Sequence, residues 1–288
     1  ECAKNVPAIY NGCVDGGLAA RGLIKDTGLL LGVGSDVPGS WGPLRRGGPR
    51  FDVLLRTSGF QTRIPELTHS SARNLLESQV LLSTIQGSMV IGLFEGFQLK
   101  PTLGGLLALD LIAQGHLLFL PDIVEADGRV KGLSLGARIG LIRETFTLPG
   151  IALSVSRRFV SGMTVGWESA AHSTILAIDP SVNSFRITIG KSISSLGFMV
   201  GSGLDSYKSP VHLILSQQGG YQRDFEGELL LRRPVLFTGM SLTLLILKLS
   251  TELGWAWGGT RPSGYGLENT NAVKGSAFLS IGARLTIR

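Results

Sequence analysis

The stretch KGLSLGARIGLIR, Lys131 to Arg143, alternates strictly between two kinds of residue. One row is apolar and the other is small: the first consists of Leu133, Leu135, Ala137, Ile139 and Leu141, the second of Gly132, Ser134, Gly136, Arg138 and Gly140. Period two predicts a β-strand with one apolar face. A face in contact with water usually carries long polar side chains, so the second row predicts a confined polar surface.

The same alternation recurs along the chain, over Asn183–Gly190, Leu245–Trp257 and Val273–Ile287. Turn-forming pairs such as Asp127-Gly128 and Gly219-Gly220 separate many of the segments. We count ten to fourteen strands with no βαβ rhythm, which favours an antiparallel sheet. The chain is therefore predicted to be all-β, a single domain over residues 1–288, folded as a closed antiparallel barrel of about 12 strands.

The composition decides which face points inward. Only 17% of residues are charged, against about 25% in typical soluble domains, and 40 of the 288 residues are glycine. The small polar row fits a crowded interior, where isolated charges can pair, and the apolar row then faces outward. The predicted outward apolar wall includes Leu133, Leu135, Ile139, Leu141, Leu279, Ile281, Leu285 and Ile287; the predicted interior polar residues are Ser134, Arg138, Ser280 and Arg284.

With alternating segments of about ten residues, many glycines, polar turns and the terminal strand AFLSIGARLTIR, the chain resembles bacterial outer-membrane β-barrel proteins from Gly28 to Arg288. The resemblance implies an exported, non-enzymatic envelope protein with a structural or passive-pore role. Two features depart from the family: the last residues are Ile287-Arg288 rather than an aromatic terminus, and the chain has only 4 Trp and 4 Tyr for interface girdles. The alternative is a secreted barrel that polymerises into a tube or filament through its apolar wall. The expected partners are accordingly a lipid bilayer or copies of the chain itself.

The first 26 residues do not alternate, and they contain both cysteines, Cys2 and Cys13. We predict a disulfide between them, which agrees with export, and a short helix over Gly16–Asp26. A second short helix is predicted over Ser71–Gln79, and a weakly alternating strand over Leu29–Ser35. Val80–Phe97 is apolar, with Glu95 as its single charge, and fits either a strand or a membrane-spanning helix.

Little in the sequence predicts catalysis or cofactor binding. The net charge is +6, but no basic run is interleaved with aromatic residues, so nucleic-acid binding is not expected. No two of the four histidines have the spacing of a metal pair, and we expect no metal or cofactor. The remote alternative is a lipid-hydrolysing enzyme, because His69 and Ser71, with Glu66 nearby, resemble the His-x-Ser arrangement of lipid A deacylase barrels.

Overall fold

The structure is a computed structural model. It describes residues 7–42, 50–65, 77–100, 103–119, 129–168, 172–217, 221–258 and 274–287. One helix and fourteen strands make up this part of the chain. Their bounds are α1 Pro7–Leu31, β1 Arg50–Pro65, β2 Glu77–Phe94, β3 Phe97–Lys100, β4 Leu103–Leu106, β5 Ala108–Phe119, β6 Arg129–Ile142, β7 Gly150–Val160, β8 Met163–Glu168, β9 His172–Ile178, β10 Ser181–Ile193, β11 Leu196–Gln217, β12 Tyr221–Leu244, β13 Leu247–Ala256 and β14 Ser276–Ile287.

Ten antiparallel strands form a closed ring. Their order is β10-β7-β6-β5-β2-β1-β14-β13-β12-β11, and the pairing of β10 with β11 closes it. Strands β9 and β8 lie outside the ring: β9 pairs with β11 beyond Val211, where β11 extends past β10, and β8 pairs with β9. The predicted closed antiparallel barrel is confirmed. The main sheet has 12 strands, as predicted, but two of them do not belong to the ring.

The two ends of the barrel differ in their connections. Connections 95–107, 143–149, 194–195 and 245–246 lie at one end, which we call the short-turn end. At the other end, which we call the long-loop end, β1, β5, β7, β11 and β13 finish, and the next strand of the ring begins after residues 66–76, 120–128, 161–180, 218–220 and 257–275. β1 starts and β14 finishes at the short-turn end, where Phe51 pairs with Ile287.

Helix α1 runs inside the barrel. Its inner residues Leu23, Ile24 and Leu30 are at most 2% exposed and share one apolar cluster with inward residues of the wall. Gly16 lies against Leu213 of β11 near the long-loop end, and Trp41 lies against Gly190 and Gly197 at the short-turn end. Helix α1 and residues 32–42, together called the plug, therefore thread the barrel from end to end.

The plug corrects two predictions about local structure. The helix over Gly16–Asp26 was predicted too short, because α1 spans 25 residues. The strand over Leu29–Ser35 was wrong, because α1 continues to Leu31 and a bend follows. Leu29, Leu30 and Leu31 are all buried inside the barrel and share one apolar cluster with inward residues of the wall. Alternation of apolar residues therefore did not indicate a strand in this segment.

The strand pairing also decides the predictions for two further segments. Most of Val80–Phe97 is strand β2, which pairs along its length with β1 and β5, so the strand alternative holds. The predicted helix over Ser71–Gln79 is wrong for residues 77–79, which begin β2; residues 71–76 lie outside the described part of the chain. Among the described helices, none combines the length and the hydropathy needed to cross a membrane.

Candidate functional site

Six of the eight predicted wall residues lie exposed on the outer face of the barrel. Leu133 and Leu135 are each 55% exposed, Ile139 is 38% exposed, and on β14 Leu279, Ile281 and Leu285 are 47%, 54% and 38% exposed. Leu141 is only half-buried, and it lies at a register shift between Gly140 and Ile142 near the short-turn end. The side chain of Ile287 is outside the described residues.

The predicted interior residues lie on the inner face. Ser134, Arg138 and Ser280 are at most 2% exposed, and the side chain of Arg284 is 12% exposed. Arg138 donates to Asp110 Oδ2 at 2.8 Å, and Arg284 Nη1 lies 3.4 Å from Asp52 Oδ2. Charges on neighbouring strands therefore pair with one another inside the barrel.

The plug is attached to the wall through its own backbone. In residues 32–36, which follow α1, five successive carbonyl oxygens accept hydrogen bonds from inward side chains. The donors are Arg186 to Gly32 and Gly34 at 2.9 and 3.1 Å, Arg56 to Val33 and Ser35 at 2.8 Å each, and Gln114 to Asp36 at 2.8 Å. Irregular backbone inside a barrel needs such partners, because a buried unpaired carbonyl is costly.

The Asp36 side chain of the plug accepts three hydrogen bonds from side chains of the wall. Its Oδ1 accepts from Arg158 Nη2 at 2.6 Å and from Ser156 Oγ at 3.0 Å. Its Oδ2 accepts from Ser154 Oγ at 2.5 Å. Asp36 and Arg158 are each 1% exposed at the side chain, so this is a fully buried ion pair supported by two hydroxyl donors.

A second buried charge pair binds the plug from the other side of the barrel. Glu252 of β13 accepts from the backbone N–H of Ser35 at 3.1 Å and from the Ser35 hydroxyl, and its Oε2 lies 3.5 Å from Arg56 Nη1. Nearer the long-loop end, Arg233 donates to the Lys25 carbonyl at 3.1 Å, and Thr62 donates to Asp26 at 2.6 Å. The plug is thus held on several sides and along much of its length.

Trp41 fills the barrel at the short-turn end. It is 3% exposed, its indole Nε1 donates to Glu144 Oε2 at 2.9 Å, and Lys248 Nζ lies 4.4 Å from the ring centroid. A Cβ on Gly190 or Gly197 would come within 2.6 or 2.2 Å of the indole ring. These glycines are needed because the wall and the ring approach so closely.

Sequence reasoning missed the plug and its anchors. The sequence does mark Arg158 and Arg186 as candidate interior charges, because each is the single charged residue on the small row of an alternating strand. Asp36 and Trp41 gave none, because they occur in a segment without period two. The predicted disulfide stays a prediction: Cys13 is buried and the described residues contain no free cysteine, but Cys2 is outside them.

The described residues hold no cluster of three or more His, Cys, Asp or Glu side chains arranged for a metal ion. The buried carboxylates Asp36, Asp205 and Glu252 each face an arginine. Residues 66–76, which include Glu66, His69 and Ser71, are outside the described part, so the hydrolase alternative is untested. The inward side chains of the described wall bind the plug through hydrogen bonds and ion pairs.

A closed antiparallel barrel with an apolar outer wall and a charged, buried interior defines an outer-membrane-type β-barrel, and the predicted resemblance is confirmed. Neither a protein-family model nor a curated protein sequence matches the chain. Solved structures do resemble it. The translocator domain of autotransporter NalP from Neisseria meningitidis has a TM-score of 0.45 at 11% identity, over 84% of this chain and 90% of that one.

Two further similar structures are outer-membrane proteins by name. The outer membrane protease OmpT from Escherichia coli has a TM-score of 0.42 at 11% identity, over 88% of this chain and 100% of that one. An outer membrane channel from Pseudomonas putida F1 has a TM-score of 0.38 at 11% identity, over 87% of this chain and 99% of that one. These likenesses concern the barrel fold and carry no activity to this chain.

Proposed function

We propose that this protein is a non-enzymatic outer-membrane barrel that its own N-terminal segment keeps closed. The observation that carries the proposal is the buried Asp36–Arg158 pair, at 2.6 Å, because it fixes a segment of the plug to the wall inside the barrel. A passive pore, the role expected from sequence, needs an empty lumen. Here the barrel conducts only if the plug leaves it.

The outer wall supports a membrane location. On β13 the outward side chains Leu247, Leu249, Leu253 and Trp255 are 36% to 55% exposed, and Trp257 follows at 45%. Ten residue steps separate Leu247 from Trp257, which is about 33 Å along the strand and about 25 Å of barrel height at a typical tilt. That height matches the apolar band of outer-membrane barrels. An apolar wall of this size in water would need to be covered.

The connections suggest an orientation. Outer-membrane barrels have short periplasmic turns and longer extracellular loops. The short-turn end then faces the periplasm, and the N-terminal end of α1, near Leu213, faces outward. On this reading the protein holds its own N-terminal segment across the outer membrane, from the outside at α1 to the periplasm at Trp41.

Electrical recording tests the closed state. Full-length protein in a planar lipid bilayer is expected to show no steady conductance, and Asp36→Asn is expected to show one, since it removes the charge that holds Arg158. Glu228→Gln is the matched control, because Glu228 pairs with Lys208 on the exposed outside of the barrel. Steady conductance of the unmodified protein contradicts the proposal.

Labelling in intact cells tests the orientation. Lys274→Cys lies exposed at the long-loop end and is expected to react with a membrane-impermeant maleimide. Phe146→Cys lies in the 143–149 turn, where Phe146 is 97% exposed, and is expected to react only after the outer membrane is permeabilised. The reverse pattern places the short turns outside and contradicts the orientation.

A further inference from the structure

A polar row crosses the outer face of four neighbouring strands. Arg157 of β7 pairs in register with Asn183 of β10, Asn183 pairs with Ser206 of β11, and Ser206 pairs with Arg232 of β12. Arg157, Asn183 and Arg232 are exposed and Ser206 is half-buried. The row therefore offers two guanidinium groups, with an amide and a hydroxyl between them.

The row lies directly above the apolar wall. The next outward row toward the short-turn end contains Val155, Phe185 and Leu204, which are 56%, 45% and 42% exposed. Toward the long-loop end two of the four strands soon stop, because β7 ends at Val160 and β10 starts at Ser181, whereas β11 and β12 continue. On the proposed membrane location, on which this inference rests, the row lies where lipid headgroups meet the acyl chains.

Within the described part of the chain, no carboxylate forms an ion pair with either arginine of the row. Arg157 stacks over the ring of Phe159, with its guanidinium carbon 5.0 Å from the centroid. Glu228, on the outward face of β12 near Arg232, is engaged by Lys208 at 2.9 Å. Phe159 holds the Arg157 guanidinium along the wall, and stacking on a ring face leaves the in-plane N–H groups available as donors.

We infer that this row, Arg157–Asn183–Ser206–Arg232, binds the phosphate of an anionic lipid in the leaflet at the long-loop end. Guanidinium groups donate paired hydrogen bonds that match phosphate oxygens, and amide and hydroxyl groups add further donors. The acyl chains of the same lipid lie along Val155, Phe185 and Leu204. A basic residue near a membrane surface strengthens attraction to anionic lipid about fivefold.

Lipid titration monitored by native mass spectrometry tests the inference. Full-length protein in neutral detergent is titrated with phosphatidic acid, and in parallel with phosphatidylcholine. We expect a clear preference of the unmodified protein for phosphatidic acid. We expect the dissociation constant of the first phosphatidic acid to rise about fivefold in Arg157→Gln or Arg232→Gln, and about 25-fold in the double variant.

Arg223→Gln is the matched control, because Arg223 lies on the same strand β12 but nine residues nearer the loop tip, where it pairs with Leu215. We expect this variant to bind like the unmodified protein. An equal loss in the control, no loss in the double variant, or displacement of the lipid by excess inorganic phosphate each overturns the inference. Flotation of the same protein with vesicles separates the two proposals: failure to insert contradicts the membrane location, whereas insertion without lipid preference contradicts only the phosphate row.

Discussion

Asp36 of the plug and Arg158 of strand β7 form a buried ion pair with 2.6 Å between Oδ1 and Nη2. The two residues are 122 positions apart in sequence. Each would be costly to bury alone, because an uncompensated charge inside a protein loses its hydration. Their pairing therefore couples the position of the N-terminal segment to the closure of the barrel.

We predict that Asp36→Asn lowers the free energy of unfolding by about 3–5 kcal/mol, the range for removing one partner of a buried ion pair. Asparagine preserves the size of the side chain but leaves Arg158 buried without a counter-charge. Urea unfolding in detergent micelles measures the change. Glu228→Gln, which removes a partner from an exposed pair, is expected to cost at most about 1 kcal/mol. Equal effects of the two variants contradict the role of Asp36.

We predict that Gly197→Ala displaces Trp41 and destabilises the protein by about 1–3 kcal/mol, the usual cost of overpacking. The new methyl group would lie 2.2 Å from Trp41 Cη2, and 2.6 Å from Ser241 Oγ. Gly87→Ala is the control, because a Cβ there meets nothing within 4 Å. The urea midpoints of both variants check the prediction, and a neutral Gly197→Ala shows that Trp41 is not tightly enclosed.

We predict that Ile139→Arg costs about 2–4 kcal/mol, as expected for a charge on the lipid face near the middle of the bilayer. Ile139 lies between Leu135, whose register partner Arg157 belongs to the polar row, and Leu141, which lies near the short-turn end. Phe146→Arg, in a turn beyond the strands, is expected to cost much less. Unfolding from lipid vesicles gives both values, and a neutral Ile139→Arg means that no lipid covers this part of the wall.

We predict that Cys2 and Cys13 are joined by a disulfide in the native protein. Denatured protein treated with an alkylating reagent without reductant is expected to gain no mass, and after reduction it is expected to gain two alkyl groups. Two alkylated thiols without reduction contradict the pairing.

The covering of the wall gives a last prediction. Prepared without detergent, the protein is expected to precipitate and to be rescued by detergent micelles, because the exposed Leu and Ile rows require lipid. Light scattering checks this. A large, regular, detergent-independent particle favours the polymerising barrel instead. A soluble monomer excludes both, because neither lipid nor other copies would then cover the wall.

The alternation of Lys131–Arg143 was sufficient to predict a strand, its outward Leu row and an inward Arg138, because period two is a local property of extended backbone. The number of strands in the ring was not predictable, because β8 and β9 alternate no differently from strands that close it. Whether they join the ring depends on β11. Along β11, pairing with β10 stops at Lys208, and pairing with β9 starts at Val211.

The glycine and serine rows show in the sequence alone that the alternating strands have one small face. The reason for the small face appears only in the folded barrel. The row is small because the chain's own helix and the segment to Trp41 occupy the barrel, and Gly190 and Gly197 leave room for the indole ring. The partners in that packing are separated by more than a hundred residues, so no local pattern could reveal them. Contacts of this kind exist only once the ring has closed around the plug.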